Sequence, residues 1–450
     1  MLDGILMRPA KTLFVAFLAL LTLVWFMADS LWPEPLTYFS FRHVFVQYSG
    51  VIAMGVMSLA MILALRPKRL ELHLRGLDKM YRLHKWLGIT ALVVATLHWW
   101  WARGTKWMVG WGWLDKPERG PRPEETLGTL EATLGSQRGL AETLGEWGFY
   151  AVAVLLVLAL IKRFPYRLFA KTHRFIAPLY LLMVFHSVVL MEFDYWSQPV
   201  GWLMALLLTG GSIAALYSMT GRIGAVRRVS GTIDSLIRYP NLRALEIATV
   251  VDNQWPGHTA GQFAFVTSDR REGAHPFTIA SSWNSDERRI VFITKALGDY
   301  TSRLPDELKK GMTIQIEGPY GCFDFRDEQP RQVWIGAGIG ITPFVARMKE
   351  LSTRPDGRPI DLFHVTSETD PVAMEKLKAD AAAAGIRLHL ILSPRDGRLD
   401  ADKIRSMVPN WREASVWFCG PAGFGRHLRD ELKAGGHPAG RFHQELFQMR

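Results

Sequence analysis

Only two cysteines, Cys322 and Cys419, stand in a chain of 450 residues. So few thiols give no disulfide framework and no thiolate metal cluster. Both fall in the part read below as cytosolic, where thiols stay reduced. Acidic residues are outnumbered as well: 42 Asp and Glu face 53 Lys and Arg, for a net charge of +11. Such a surplus can serve nucleic acid, but here the basic residues cluster beside apolar segments. Cytoplasmic loops flanking membrane helices carry that bias, so no nucleic-acid partner is expected. The chain is also too long for one ordinary domain, and about three units are expected.

What the chain does have is apolar and aromatic mass. There are 17 Trp and 24 Phe, and the mean hydropathy is slightly positive, as for a membrane portion joined to a soluble one. Apolar runs lie at Leu13–Met27, Val44–Leu65, Leu83–Trp101, Trp147–Ile161, Phe175–Met191 and Val200–Met219. They read as six spans, several near the ~20 residues needed to cross. The first could be the core of a signal peptide, but Phe26 is too bulky for the −3 position before Ala28, so a retained helix is expected.

Loop charge orients the spans. Between Arg66 and Arg82 stand Arg66, Lys68, Arg69, Arg75, Lys79 and Arg82 against Glu71 and Asp78; 162–174 holds five basic residues and no acid. The opposite loops carry Asp29 and Glu34, then Glu192 and Asp194. The positive-inside bias therefore puts the N-terminus, both basic loops and everything after span six in the cytoplasm, so that spans three and five run in the same direction.

Those two spans carry paired histidines, His84 with His98 and His173 with His186, fourteen and thirteen residues apart. At 1.5 Å per residue each pair covers roughly 20 Å of a ~30 Å hydrocarbon core. Ionisable groups inside a membrane mark functional sites. The shared direction sets His84 level with His173 on the inner side and His98 level with His186 on the outer. Two helices with a histidine at each level can clamp two stacked haems. On an ideal helix the second pair points about 140° apart, against about 40° for the first. Pro178, between His173 and His186, can bend or rewind the helix.

The outer loop 102–146 carries Trp107, Trp111 and Trp113, read as an interfacial aromatic belt. Its later part repeats a Thr-Leu-Gly theme, at Thr126-Leu127-Gly128 and Thr143-Leu144-Gly145. An amphipathic surface helix and a lid over the outer site are both open readings.

After Gly221 the pattern changes. Arg222, Arg227 and Arg228 make a basic hinge, and short β-like runs follow at 232–237, 245–247, 262–266 and 290–293. Their spacing suits a small antiparallel barrel. From Gln332 apolar strands alternate with helices, with parallel strands expected at 333–335, 361–365, 388–392 and 415–418. Three domains result: 1–221, 222–327 and 328–450.

The run Gly336-Ala337-Gly338-Ile339-Gly340-Ile341-Thr342-Pro343 follows the first of these strands and opens a helix. Its glycines admit a pyrophosphate to the backbone, and the helix N-terminus favours the negative charge. The full dinucleotide fingerprint is lacking, since Ile341 holds the last glycine position. Cys419-Gly420-Pro421 ends the last strand at the carboxyl edge, where ligands bind such sheets. In the barrel, His275-Pro276-Phe277-Thr278, Gly298-Asp299-Tyr300-Thr301 and Gly318-Pro319-Tyr320-Gly321 join backbone-exposing residues to a hydroxyl or an aromatic ring. They suit a flat ring with a phosphate tail.

From Leu83 to the C-terminus the chain resembles the NADPH oxidase and ferric reductase family. The x13 and x12 histidine spacings resemble that family's bis-histidine haem ligands, which makes His84, His98, His173 and His186 metal ligands. His275, Pro276, Phe277 and Thr278 resemble its FAD signature. Gly298, Asp299, Tyr300 and Thr301 resemble its second flavin segment, usually with Trp where Tyr300 stands. Gly336, Gly338, Gly340, Thr342 and Pro343 resemble its NADPH loop, and Cys419, Gly420 and Pro421 its nicotinamide-side motif. The ending Phe442-His443-Gln444-Glu445-Leu446-Phe447 is similar to one in which an aromatic covers the flavin, although Gln448, Met449 and Arg450 follow here. The resemblance thus gives Cys419 and Phe447 catalytic positions. Ser393 and Arg395 resemble residues that hold a 2′-phosphate, whereas Glu368 disfavours one; NADPH is the reading taken, with NADH the alternative. No EF-hand loop is present, so calcium control is not expected.

The resemblance implies a multi-domain membrane protein. A six-helix bundle with two b-type haems would precede an antiparallel β-barrel that binds FAD and an α/β domain that binds NAD(P)H. Electrons would pass from NAD(P)H through FAD and the haems to an external acceptor, either O2 (forming superoxide) or a ferric or cupric chelate. Feeding a periplasmic redox partner is the alternative. Arg82, Lys85, Lys171 and Arg174 could pair with inner haem propionates or simply anchor the protein at the membrane surface.

Overall fold

The computed structural model describes residues 8–115, 128–161 and 163–445. They divide into two compact units, one helical and one built on two sheets.

The helical unit, Ala10–Lys68 with Met80–Ile223, is formed by α1 (Arg8–Phe26), α2 (Tyr38–Ala64), α3 (Lys68–His73), α4 (Leu77–Trp99), α5 (Thr105–Gly110), α6 (Thr129–Ser136), α7 (Arg138–Leu160), α8 (Tyr166–His173), α9 (Ile176–Leu190) and α10 (Pro199–Met219), of which α3 and the first turn of α4 lie mostly in the other unit. Thr37 starts α2 with a capping box: its hydroxyl accepts from the Ser40 N–H, and Ser40 answers at the Thr37 amide. α2 is the core helix, burying Val51, Ile52, Met54, Val56, Met57, Ala60, Met61 and Leu63. α7 buries only Ala141, Gly145, Gly148 and Val152, and turns Val154 and Val157 outward. On α10, Leu206, Ile213 and Leu216 likewise face out. Apolar side chains on the outside of a helical bundle require an apolar solvent, which is lipid.

Among the described residues five helices are long and apolar enough to cross a membrane: Pro9–Phe26, Tyr38–Ala64, Arg138–Leu160, Arg167–Leu190 and Pro199–Met219. The remaining expected span is α4, which has the length, 23 residues, but is diluted by Asp78, Lys79, Arg82, Lys85 and its two histidines. The α4 helix continues into a π-helical turn, Trp100–Gly104, just past His98. Arg42 secures that turn, donating from Nε to the Trp101 carbonyl (3.1 Å) and from Nη2 to that of Ala102 (3.0 Å). The expected outer loop is therefore helical over much of its described length, and α7 begins nine residues before the span anticipated at Trp147.

The fifth expected span, Phe175–Met191, is α9, and His173 lies before it at the end of a separate helix, α8. Pro178 has no N–H to give the Arg174 carbonyl, so it sits in the first turn of a new helix, where no such bond is needed. Tighter bonds fill the joint, from Phe175 N–H to Thr172 O (3.0 Å) and from Ala177 N–H to Arg174 O (3.4 Å).

Among the described residues the second unit contains 224–445 with Arg69–Lys79 and residues 8–9. Its first sheet comprises β1 (Arg228–Tyr239), β2 (Ala244–Val251), β3 (Phe263–Thr267), β4 (His275–Thr278), β5 (Arg289–Lys295) and, after α11 (Asp299–Glu307), β6 (Thr313–Tyr320). The spatial order is β4-β3-β6-β1-β2-β5, antiparallel throughout, and an Ile279–Phe292 bridge draws the two edges together. Alternate side chains such as Ile233, Ile247, Ile290, Phe292 and Ile316 fill its interior.

The other sheet is parallel, ordered β11-β10-β7-β8-β9. It comprises β7 (Gln332–Ala337), α12 (Thr342–Thr353), β8 (Ile360–Thr366), α13 (Pro371–Ala383), β9 (Arg387–Leu392), α14 (Ser393–Asp396), α15 (Ala401–Met407), β10 (Ser415–Cys419), α16 (Ala422–Ala434) and β11 (Phe442–Gln444). β8 and β10 are buried along their whole length, as strands covered on both faces must be. The glycine turn after β7, Glu368 after β8, Ser393 after β9 and Gly420 after β10 all follow strands at the same carboxyl edge.

The segment Arg69–Lys79 is buried within this second unit through Glu71, Leu74, Leu77 and Asp78. The Glu71 carboxylate accepts from the Gly321 N–H (3.1 Å) and pairs with Arg227 (3.2 Å), whose guanidinium lies 4.6 Å from the centroid of the Tyr320 ring.

Candidate functional site

The four histidines meet as two pairs. The rings of His84 and His173 have centroids 6.1 Å apart at 67°, and those of His98 and His186 are 6.3 Å apart at 80°. Two imidazole–metal bonds of about 2.0 Å, plus about 1.1 Å from each nitrogen to its ring centre, give roughly 6.2 Å. A single axial metal fits between each pair.

The backbone fixes which nitrogen is free. His84 Nδ1 lies 3.0 Å from the Ala60 carbonyl, His98 Nδ1 3.1 Å from that of Val46, and His186 Nδ1 2.8 Å from that of Ala141. Nδ1 donates in each, so Nε2 keeps its lone pair for a metal, the arrangement expected around ligating histidines. His173 Nδ1 is buried without such an acceptor, beside the break that Pro178 imposes. Among the described residues no group of three or more His, Cys, Asp or Glu could hold a metal ion. Two histidines alone do not complete a metal's coordination, so each pair would suit a metal that brings its own macrocycle, as haem does.

His98 and His186 line a cavity of about 450 Å³ together with Arg42, Gly50, Met54, Phe149 and Met183. Gly145 makes room for the His186 ring: a Cβ there would stand 2.0 Å from Nδ1. At the rim Arg103 pairs with Glu146 (2.8 Å), and Glu142 takes both Arg138 (3.3 Å) and Lys106 (3.6 Å).

In the antiparallel sheet two separate motifs come together. His275, first residue of β4, stacks on Tyr300 in the first turn of α11, with centroids 4.0 Å apart at 16°. Tyr300 is held in turn by Ser268 (2.7 Å). Pro276, Phe277 and Thr278 complete the half-buried edge strand β4. Gly298 caps α11, and Thr301 Oγ1 accepts from the amides of Leu297 and Gly298 (3.0 and 3.2 Å), with Asp299 opening the helix. An aromatic pair beside a helix N-terminus and a half-buried strand fits a flavin ring with its phosphates. Tyr320 does not join them. It is buried against Phe263, and its hydroxyl donates to Glu317.

In the parallel sheet Gly336, Gly338 and Gly340 form the turn after β7, and Thr342 and Pro343 open α12. Gly338 has φ +56° with open space where a Cβ would be, whereas one on Gly340 would lie 2.2 Å from the Cys419 carbonyl. The turn is thus pressed against the end of β10, where Cys419, Gly420 and Pro421 lead into α16. Cys419 is fully buried, and burial pushes its thiol well above its usual range. Ser393 and Arg395 lie in α14, two strands from the turn, and Arg395 pairs with Asp396 (2.7 Å). Phe447 lies outside the described residues.

Sequence reading gave no role to Glu445, which is buried beside Gly321 with Oε2 unpartnered. Burial, and then the charge of Asp78, push its carboxyl up to about 8. Nor did it connect Gly145 with His186 or Glu368 with Lys295 (2.7 Å). None of the three leaves a signature in spacing, because each depends on a tertiary neighbour.

Residues 49–184 match the family model described as a ferric reductase like transmembrane component, and residues 243–323 match an FAD-binding domain. An NADPH oxidoreductase of Mycobacterium tuberculosis is 28% identical over 203 residues, 43% of this chain and 52% of that protein. A flavohemoprotein of Pseudomonas aeruginosa is 27% identical over 189 residues, 40% of this chain and 48% of its own. The chain spans about half the length of the curated relatives it matches. Among solved structures, flavohemoglobin from Malassezia yamatoensis aligns with a TM-score of 0.44 at 18% identity, covering 72% of this chain and 88% of that one. A transmembrane component of ferric reductase type is thus joined to a ferredoxin-reductase-type FAD module, which is the architecture of the NADPH oxidase and ferric reductase family.

Proposed function

We propose that this protein is a transmembrane NAD(P)H oxidoreductase that takes electrons from a cytoplasmic coenzyme and delivers them to an acceptor across the membrane. When bound, FAD would supply hydride acceptance and one-electron release, and two b-type haems one-electron transfer. His84 and His173 would hold the inner metal, and His98 and His186 the outer. Their Nδ1 contacts to backbone carbonyls pre-set three of the four rings. β4 and the N-terminus of α11 would hold the flavin through His275 to Thr278 and Gly298 to Thr301, and the turn at Gly336–Pro343 would receive the coenzyme's pyrophosphate.

One observation carries this reading: two histidine pairs, each spaced for a single axial metal, on helices of one unit. With six spans, the loop charges favour both termini in the cytoplasm. Outward electron movement is then favoured by about 2.3 kcal/mol per 100 mV of inside-negative potential.

The acceptor is O2 or a ferric or cupric chelate at the outer cavity. NADPH consumption in proteoliposomes, scanned over O2, ferric citrate and copper with superoxide dismutase as control, tests this. Consumption that needs one of these acceptors supports the reading. Loaded protein that oxidises no coenzyme with any of them contradicts it and points instead to a dedicated redox partner.

A further inference from the structure

Three parts of the sheet-bearing unit converge on one small cavity of about 100 Å³. Gly338 and Ile339 supply the glycine turn, Lys295 the end of β5, and Thr366 the end of β8. Lys295 is mostly buried, and its Nζ donates to Glu368 Oε2 at 2.7 Å. Arg243, in the β1–β2 connection, reaches the other carboxylate oxygen at 3.5 Å. Glu368 is aimed by its own turn: its N–H donates to Thr366 Oγ1 (3.3 Å), and that hydroxyl donates to the Glu368 carbonyl (2.9 Å). Two cations from the antiparallel sheet thus converge on one carboxylate from the parallel sheet, at the carboxyl edge where nucleotides bind.

We propose that Lys295 is the cation that receives the coenzyme's pyrophosphate, and that Glu368 stands in for it until coenzyme arrives. The proposal rests on the NAD(P)H reading above and adds the residues that admit the coenzyme. The cavity holds Lys295 and Gly338 together, so a pyrophosphate on the turn's amides reaches the Lys295 ammonium. With Glu368 in place that cation is taken. Because the Glu368 carboxylate is one-third exposed, its pair is weakly held and exchanges readily. Of the other charged groups lining the cavity, Glu246 and Lys376 pair with each other apart from this cluster. Lys376 binds Glu246 (2.8 Å) and Tyr239 (3.2 Å), whereas burial raises the Asp380 carboxyl against the opposing charges of Lys349 and Lys376. The Glu246–Lys376 pair also spans the two sheets, so releasing Glu368 leaves them joined.

Binding of redox-inert ADP-ribose and 2′-phospho-ADP-ribose to the full chain in detergent, by titration calorimetry, tests the exchange. Glu368→Gln removes the internal competitor and is expected to tighten both probes about three- to ten-fold. Lys295→Met is expected to weaken both about ten-fold or more, Lys295→Arg to restore most of the loss, and Lys295→Met/Glu368→Gln to behave like Lys295→Met alone. Unchanged or weaker binding by Glu368→Gln, or a loss in Lys295→Met confined to the 2′-phosphorylated probe, overturns the pyrophosphate assignment. Wild-type protein that binds neither probe overturns the coenzyme reading with it. Wild-type binding that Lys295→Met leaves intact overturns both the pyrophosphate assignment and the exchange, and spares the coenzyme reading. Thermal unfolding of each variant separates a binding loss from a misfolded chain.

Discussion

Gly145 and His186 are in a contact that leaves no room for a methyl group: a Cβ on Gly145 would stand 2.0 Å from Nδ1 of His186 and 2.3 Å from Cε1. That imidazole is held 2.8 Å from the Ala141 carbonyl, one helical turn earlier on α7. Helix α7 thus both orients the outer ligand and, through a missing side chain, gives it its position. Gly145→Ala is expected to expel the ring and remove the outer haem, lowering the haem-to-flavin ratio by half while the inner pair stays filled. Gly50→Ala is the control. Its Cβ would meet His98 Cε1 at an ordinary 3.5 Å, so haem content should hold.

Burial of Glu445 sets a pH dependence on the sheet-bearing unit. Asp78 and Lys79 from the 69–79 segment, Cys419 from β10 and the Gly321 backbone surround its carboxyl. In the unfolded chain it titrates near 4.5 and in the folded chain near about 8. Between those values only the folded chain keeps the proton, so stability is greatest below the lower one and falls as pH rises to the upper. Glu445→Gln should flatten that decline, with its Tm rising relative to wild type from pH 5 to 8. Parallel curves would show that Glu445 is not the group.

Arg227→Met leaves the Glu71 carboxylate buried with its charge uncompensated, although the Gly321 amide still donates to it. Breaking a buried pair by removing one partner costs about 3 kcal/mol. Denaturant unfolding of the sheet-bearing unit should show a loss of that order for Arg227→Met and a smaller one for Glu71→Gln, which removes the charge but keeps a hydrogen-bond acceptor. Equal small losses would mean that the pair is worth no more than a surface bridge.

Much of this was legible beforehand, because membrane segments carry their physics in one dimension. The positive loops set the direction of the third and fifth spans, and that direction assigned His84 to the level of His173 and His98 to that of His186. The same residues lie ring to ring. The turn at Gly336–Pro343 could be read because a strand, a glycine run and a helix start are adjacent in sequence. Other features needed the third dimension. The joint between α8 and α9 follows from one missing amide at Pro178, yet a proline in an apolar run can bend a helix, rewind it or end it. β4 and β11 are only four and three residues long, too short for alternation to show. α4 was marked as a span by its apolar stretch, but its first turn is buried in the sheet-bearing unit. Nothing local announces that an inter-helix segment such as 69–79 will be buried.

The order of the relay predicts an asymmetric result for the outer ligands. His98→Leu should leave flavin reduction by NADPH at the wild-type rate and abolish reduction of external ferric citrate or O2. Stopped-flow absorbance at the flavin band and the Soret band reads both steps. External reduction that survives the substitution would put the exit elsewhere.

The central claim is that each histidine pair holds one haem, and a pyridine haemochrome assay against protein concentration tests it most directly. Two b-type haems per chain are predicted for the purified wild type, one for His98→Leu or His186→Leu, and one for His84→Leu or His173→Leu. A wild-type value of one, or a count unchanged by these substitutions, would contradict it.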